Sequence, residues 1–438
     1  MDPSQARIAG PITPFDNETA SPPKVRLLIA SMAAMMGFAS LPRLGPDFAD
    51  SSVLMRVRVV GLIAGLLVLA LLGNGKRKMP IPSRERSLLL RFWLFFGIAI
   101  VSSAIANLDD VGSMISVIWM AAGIPVILFD RVPAQLGRFG PRAVIISILL
   151  AASPYMIGWF ISNPEMRFAY RGILINSNTP GIVSSTILIS LLPVAMDCQR
   201  KRKRLLLAMA SIIIVAMFLV VLLSGSRTSF MSCALTSLLV SLAAGRRFVK
   251  AWFVAAGLAT AVLAVLVYQY SDAFSMFLEI LSKQQAMADS GNVLSSRGDI
   301  WAEVFHNATF FGHGGHYFED VIGIGPHNSI IWALGVRGPC AAMALVPIAA
   351  LSTRCAWAFA KNHFALDPYA VGVLALIIHF WTVSMTEAML GSFGNDLTIA
   401  AFVCMGLATC QTQPRYRRSC AEARPALGAR SLQPGASV

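Results

Sequence analysis

Charge is what this sequence has least of. Only 13% of its 438 residues are Asp, Glu, Lys or Arg, where soluble domains carry about a quarter. With 56% of the residues hydrophobic, too little polar surface remains to clothe a water-soluble particle. Cysteine patterning is missing too. The seven cysteines (Cys198, Cys233, Cys340, Cys355, Cys404, Cys410 and Cys420) show no CxxC spacing. None falls in a connection assigned below to the outer face, so neither a disulfide framework nor a cysteine-rich metal site is expected. Residues 1–23 lack an apolar stretch and carry Asp2, Asp16, Glu18 and several prolines. They read as a disordered cytoplasmic tail and not as a cleavable leader.

What the sequence has in abundance is long apolar runs, each near the twenty or so residues that cross a bilayer as a helix. The expected fold class is all-α: a polytopic membrane bundle of about twelve spans, at roughly 25–42, 53–73, 88–106, 114–129, 144–161, 182–196, 205–224, 230–244, 251–270, 329–350, 369–384 and 397–410. The transmembrane domain would run over 25–410. Its long outer loop, 271–328, would be helical. Residues 1–24 and 411–438 would be disordered cytoplasmic tails.

The net charge of +14 invites a nucleic-acid reading, but its distribution argues against one. Of the 36 basic residues, 26 fall in the two tails and the even-numbered connections, including the run Arg200-Lys-Arg-Lys-Arg204. Only 6 fall in the odd-numbered ones: Arg43, Arg167, Arg171, Arg227, Lys283 and Arg297. Basic residues concentrate on the cytoplasmic side of membrane proteins. The alternation therefore puts both termini inside and the odd-numbered connections outside.

The long outer loop opens with Phe274, Phe277, Leu278 and Leu281 on one helical face, which suits a helix lying on the membrane surface or one packed on the bundle. Ser296-Arg-Gly-Asp299 resembles a capping box for a second helix, with Ile300, Trp301, Val304, Phe305 and Ala308 as its apolar stripe. Phe311-Gly-His-Gly-Gly-His316 breaks that helix, and Gly325-Pro-His-Asn328 leads into span ten.

The outward basic residues suggest chemistry. Arg227 lies in the polar turn Ser224-Gly-Ser-Arg-Thr-Ser229, Arg297 in Ser295-Ser-Arg-Gly, and His327 at the mouth of span ten. Arg171 precedes a polar loop, Asn176-Ser-Asn-Thr-Pro-Gly181. A guanidinium fork binds phosphate oxygens bidentately, so such arginines suit the diphosphate of a lipid-linked substrate. An imidazole can take a proton from an attacking hydroxyl, and arginines can stabilise a leaving diphosphate. Plainer roles compete: a membrane-edge anchor for Arg227, a surface charge paired with Asp299 or Glu303 for Arg297, and a helix cap or packing residue for His327. For Arg171 the plain structural role outweighs the functional one. His313 and His316 could join His327 around zinc, but glycines fill the intervening loop and no metal is expected. Arg337, ten residues into span ten, is costly at that depth; His379 and Glu387 are its candidate partners.

Taken in order, Gly225-Ser-Arg-Thr-Ser229, Ser296-Arg297, Trp301, Gly312-His-Gly314, His327-Asn328 and Gly335/Gly338 resemble the O-antigen ligase/polymerase superfamily. That superfamily includes O-antigen ligases, Wzy-type repeat-unit polymerases and ExoQ-type exopolysaccharide polymerases. The match covers about 205–340, and Asn176, Asn178 and Pro180 look like the family's earlier polar loop. The resemblance implies a GT-C-like fold and a metal-independent, cofactor-free, inverting glycosyltransferase in the bacterial inner membrane, working on its periplasmic face. The donor would be an undecaprenyl-diphosphate-linked glycan. The acceptor would be a second glycan or the lipid A core. Partners would be membrane lipids and chain-length-regulating and flippase proteins, with no nucleic acid. Arg227 and Arg297 would hold the diphosphate, and His327 would be the base or its orienter. Arg171, Asn178, Ser226, Thr228, His313 and Asn328 would line the substrate. The compact motifs look more like the exopolysaccharide polymerases than the ligases. The chain departs from the family at Arg337, where an apolar residue is more usual. A transporter would instead string ionisable residues along several span interiors, where here Arg337 and His379 are nearly alone.

Overall fold

The computed structural model describes residues 22–45, 50–72, 84–162, 173–174, 176, 178–245, 297–390 and 395–410. The span expected at 251–270, the surface helix around Phe274 to Leu281, nearly all of both tails, Ser296 and Arg171 lie outside these residues. Within them every regular element is helical: α1 (Pro22–Ala39), α2 (Ser51–Leu72), α3 (Arg84–Ala106), α4 (Val111–Leu136), α5 (Gly140–Ser162), α6 (Asn178–Arg200), α7 (Arg204–Leu223), α8 (Arg227–Ala244), α9 (Arg297–His306), α10 (Ser329–Arg337), α11 (Pro339–His363), α12 (Ala370–Ser384) and α13 (Asp396–Cys410). Eight of these, α2 to α8 and α11, are long and apolar enough to cross a bilayer, and α12 and α13 are shorter apolar helices.

Lipid explains where the apolar residues go. Helix α7 has a mean hydropathy of 3.1, yet only 22% of its apolar window is buried. Leu205 and Ile212 stand on its bare surface. Such a helix is stable only where its neighbours are as apolar as itself. Helices α12 and α13 are the opposite: nearly all of their residues are buried. They form the centre, packed against α4, α5, α6, α8 and α11. Inside this core sits His379, fully buried on α12. Its Nδ1 is 2.6 Å from the Ser232 hydroxyl of α8, and its Nε2 is 3.2 Å from Ser185 and Thr186 of α6. Without water, a buried imidazole must find its partners on neighbouring helices, and these three bonds fix the register of α6, α8 and α12.

Local chemistry sets the breaks. Asp110 caps α4, its Oδ1 accepting from the Gly112 and Ser113 amides at 2.6 and 3.1 Å. The middle of α4 is wound as a π-helix, Trp119–Arg131, around Pro125, whose missing amide disrupts the ordinary ladder.

Span ten differs from expectation. Residues 329–350 are not one helix. The chain breaks at Gly338 (φ 85°), a left-handed conformation open to glycine at little cost, and Pro339 starts α11 afresh. A side chain at Gly338 would also meet the Phe310 carbonyl oxygen at 2.2 Å. The crossing helix is therefore α11, 25 residues long. Helix α10, about 13 Å long at 1.5 Å per residue, has both ends against loops from one end of the bundle. The Asn328 amide at its start donates to Met385 O (2.9 Å), and Arg337 at its last turn pairs with Asp109. Arg337 is thus not deep within a span, and its partner is Asp109, neither His379 nor Glu387. The apolar stripe of α9 is also narrower than expected. Ile300 and Val304 are buried, whereas Phe305 is 62% exposed and Ala308 lies beyond the helix.

Arg337 and Asp109 have side chains only 2% and 3% exposed. Asp109 also accepts the Gly315 amide at 3.0 Å. Removing one member of such a pair strands the other charge, at a cost of about 3–5 kcal/mol. Asp109→Ala should lower the thermal midpoint of the purified protein sharply. Replacing both, Asp109→Leu with Arg337→Met, should recover most of the loss. A double variant as unstable as the sum of the two single ones would show that the pair does not act as a unit.

Candidate functional site

Three segments far apart in sequence meet beside the start of α10. The first is α9, which opens on Arg297. Its Trp301 indole N–H donates to Pro326 O at 3.0 Å and so docks the helix against the segment that carries His327. The second is that segment. His327 holds φ 48°, a left-handed conformation that costs a non-glycine residue about 1–2 kcal/mol, and strain of this kind concentrates at functional sites. Asn328 follows and caps α10, its Oδ1 accepting from the Ile330 and Ile331 amides at 2.8 and 3.1 Å. The third is the turn after α12. There the Ser329 hydroxyl donates to Glu387 O at 3.3 Å and accepts the Leu390 amide at 3.3 Å.

Glu387 is the centre of this meeting. Its Oε2 lies 3.2 Å from His327 Nδ1 and its Oε1 3.8 Å from an Arg297 guanidinium nitrogen. All three side chains are partly open, between 20 and 36% exposed. With Nδ1–H donating to the carboxylate, Nε2 becomes the lone-pair nitrogen, able to accept a proton from a group outside. Glu387 is the site residue that the sequence does not single out, where it is only one of two candidate partners for Arg337. A signal was present: it is an acidic residue in a connection between two apolar helices, only 3 residues past the end of α12. Arg297, for its part, pairs with Glu387 and not with Asp299 or Glu303.

A second polar group forms at the α7–α8 turn. Ser226 caps α8 by accepting the Ser229 amide at 3.4 Å, and the two hydroxyls are 2.9 Å apart. Arg227 is exposed at the first position of α8, and Thr228 beside it is half-buried. Gly181 of α6 sits against this turn: a Cβ there would lie 2.5 Å from the Ser224 hydroxyl and 2.7 Å from Ser226 Cβ. That contact brings in the Asn176 loop. Asn176 Oδ1 accepts from the Asn178 and Thr179 amides, both at 3.0 Å, so Asn178 begins α6 beside the turn. Ser232, five residues past Arg227, bonds His379, and α12 then runs on toward Glu387. Arg227 and Glu387 therefore emerge at the same end of the bundle, but no hydrogen bond or ion pair joins the two groups among the described residues.

The other expected residues have separate settings. Asn328 is 7% exposed, with both its amide atoms committed to backbone. His313 stacks on Tyr317, ring centroids 4.4 Å apart, with Nε2 2.7 Å from Asn307 O. Arg43 pairs with the fully buried Asp396 at 2.8 Å and joins the end of α1 to the start of α13. Among the described residues, no three His, Cys, Asp or Glu side chains are arranged so that they could hold a metal ion.

No protein-family model matches the chain, and no curated protein sequence matches it.

One titrating cluster flanks the site. His316 Nε2 is 2.6 Å from Asp110 Oδ2 and its Nδ1 3.3 Å from Glu319 Oε2. These hydrogen bonds, Asp110's first, raise the His316 pKa above its ordinary value and hold the Asp110 carboxyl well below the usual carboxylate range. A raised histidine pKa contributes stability that is fully present below the unfolded value, near 6.5, and is lost as pH rises through the folded one. The ring is half exposed, so the effect is small. The wild-type thermal midpoint should fall more between pH 6 and 8.5 than that of His316→Gln. Parallel curves would show that the cluster adds no stability.

Proposed function

We propose that this chain is a multi-pass membrane glycosyltransferase that takes glycan from an undecaprenyl-diphosphate-linked donor and polymerises exopolysaccharide or O-antigen repeat units. In this reading both termini are cytoplasmic, the His327 end of the bundle faces the periplasm of a bacterial inner membrane, and the fold is a GT-C-like bundle of about twelve spans. The observation that carries the reading is Glu387 bonded to His327 and ion-paired with Arg297, at the end of the bundle from which Arg227 also emerges.

The chemistry follows from the parts. The acceptor hydroxyl gives its proton to His327 Nε2 as its oxygen attacks the anomeric carbon. The bond from that carbon to the diphosphate oxygen breaks, and the leaving diphosphate departs with its electron pair. Attack opposite the leaving group inverts the centre. Glu387 holds the imidazole in the tautomer and orientation required and stabilises the cation that forms. Arg227 and Arg297 stabilise the diphosphate electrostatically. Asn178, Ser226 and Thr228, gathered round the α7–α8 turn, supply polar contacts to the donor. Arg171, His313 and Asn328 belong to the same substrate assignment, with Asn328 acting through the backbone that it holds in place.

Arg227→Ala, Arg297→Ala and His327→Ala should each abolish polymer while the protein still accumulates in the membrane. Loss of a general base costs about 10²–10⁴ in rate. Full polymer from all three variants would sink the assignment. A deletion strain with its glycans sized tests the acceptor: a polymerase mutant leaves single repeat units, whereas a ligase mutant leaves polymer unattached to lipid A. A strain with unaltered glycans would point to another class of protein.

A further inference from the structure

At the opposite end of the bundle, about 30 Å along α6 at 1.5 Å per residue, lies a cavity of about 440 Å³. It opens between the start of α5, the end of α6, the end of α11 and the start of α12. Its polar lining is Arg142, Asp197, Arg200, Lys201, His363 and Asp367, and its apolar lining includes Phe139, Phe359 and Leu366. Nothing in the proposed transfer reaction uses it.

The charges are arranged and not scattered. Asp197 Oδ2 receives Lys201 Nζ at 2.8 Å and stands 4.0 Å from the Arg142 guanidinium, so one carboxylate holds two cations on the same rim. Arg142 lies over the Tyr369 ring, 4.7 Å from its centroid. The ring supports the face of the guanidinium and leaves its edge for an oxygen ligand. Asp367 has one carboxyl oxygen on the Tyr369 amide at 3.1 Å. Arg200 and Lys201, the first two residues of the basic run 200–204, are the ones that line the cavity, and they give the opening a positive potential.

We propose that this cavity binds the head group of an anionic phospholipid from the adjoining leaflet. The phosphate diester would sit on Arg142, Arg200 and Lys201. Head-group hydroxyls would donate to the carboxylates of Asp197 and Asp367, and the glycerol backbone would lie against Phe139, Phe359 and Leu366. Three observations favour a lipid over a free phosphate. The buried part of its lining is mostly apolar: Pro141, Phe359 and Ala370, with His363 the polar exception. The volume falls in the range of organic ligands and not of a single ion. The mouth lies where four helices end, which in a bundle that spans a bilayer is the level of the head groups, where basic pockets between helices recruit acidic lipids.

The test uses the full-length protein purified in an uncharged maltoside detergent, with thermal midpoints read by tryptophan fluorescence. A ligand that binds only the folded state raises the midpoint in proportion to its occupancy. Short-chain phosphatidylglycerol should raise it saturably, and phosphatidylcholine of the same chain length should not. Arg142→Gln should raise the half-saturating phosphatidylglycerol concentration about tenfold or more, the usual scale for a lost charge-assisted hydrogen bond. Leu366→Trp, which fills the mouth without changing charge, should do the same. Lys201→Gln alters a side chain that is 45% exposed, so it is a variant expected to fold, and it should weaken the response too. Arg204→Gln, in the same basic run but outside the cavity, should respond like wild type. Equal shifts with phosphatidylcholine would overturn the proposal. So would the whole shift being reproduced by inorganic phosphate, or a wild-type response in folded Lys201→Gln and Leu366→Trp.

Discussion

The ion pair between Arg337 and Asp109 governs more of this molecule than its size suggests. Two side chains almost without solvent cannot remain charged alone, so α10 must end where α3 gives way to α4. Once it does, the Phe310–Gly315 loop has only one course. Its amides at His313 and Gly314 donate to the Gly335 and Val336 carbonyls at 2.9 and 3.1 Å, answering groups that the end of α10 leaves open. Gly312 and Gly338 permit the approach, since a Cβ at either would collide with backbone. The far end of α10 is held by the Asn328 cap and its bond to Met385. A nine-residue helix anchored at both ends carries little freedom, and His327 is the second residue before it. The orientation of an imidazole is thus set in part by a charge pair at the other end of its helix.

Much of this organisation was legible from the amino-acid order, because the membrane imposes few and strict rules. Apolar runs located α2 to α8, α12 and α13 to within several residues, and charge alternation grouped the connections whose contacts now meet at one end, such as Gly181 with Ser224 and Arg43 with Asp396. The failures have physical causes. Hydropathy averages over a window, so it merged α10 with α11 across a single Gly-Pro step. It then placed Arg337 in the hydrocarbon when it belongs to a loop assembly. The stripe on α9 was drawn too wide because helical periodicity says which residues share a face, not where the neighbouring helix ends. Glu387 is a candidate partner for Arg337 in the sequence and a partner of His327 and Arg297 in the structure, because contacts between spans are non-local. His327, Arg297 and Glu387 are separated by 30 to 90 residues, and no local pattern announces such a triple.

The two ends of the bundle handle charge differently. At the His327 end, buried and half-buried cations are matched individually: Arg43 with Asp396, Arg337 with Asp109, and Arg297 with Glu387. At the other end Arg86 is matched with Asp130, but around the cavity positive charge exceeds negative and Asp197 is shared between Arg142 and Lys201. A matched cation sitting close to its acid is largely neutralised and has mainly a structural role. An unmatched or loosely matched one keeps capacity for a ligand. By that criterion Arg227, exposed and with no acidic partner among the described residues, keeps capacity for a ligand, and Arg297, at 3.8 Å from its carboxylate, has some.

Sharing Glu387 between His327 and Arg297 has a consequence for the proposed reaction. A neutral imidazole holds the carboxylate by one hydrogen bond, and the rest of its charge is free to attract Arg297. When Nε2 takes a proton, the imidazolium competes for the same carboxylate at 3.2 Å against 3.8 Å, and the shorter pair gains more in a partly dry site. The guanidinium is then released at the moment when the leaving diphosphate acquires its full charge. In that reaction, proton uptake at one side of the carboxylate and phosphate stabilisation at the other would be parts of one event, joined through Glu387.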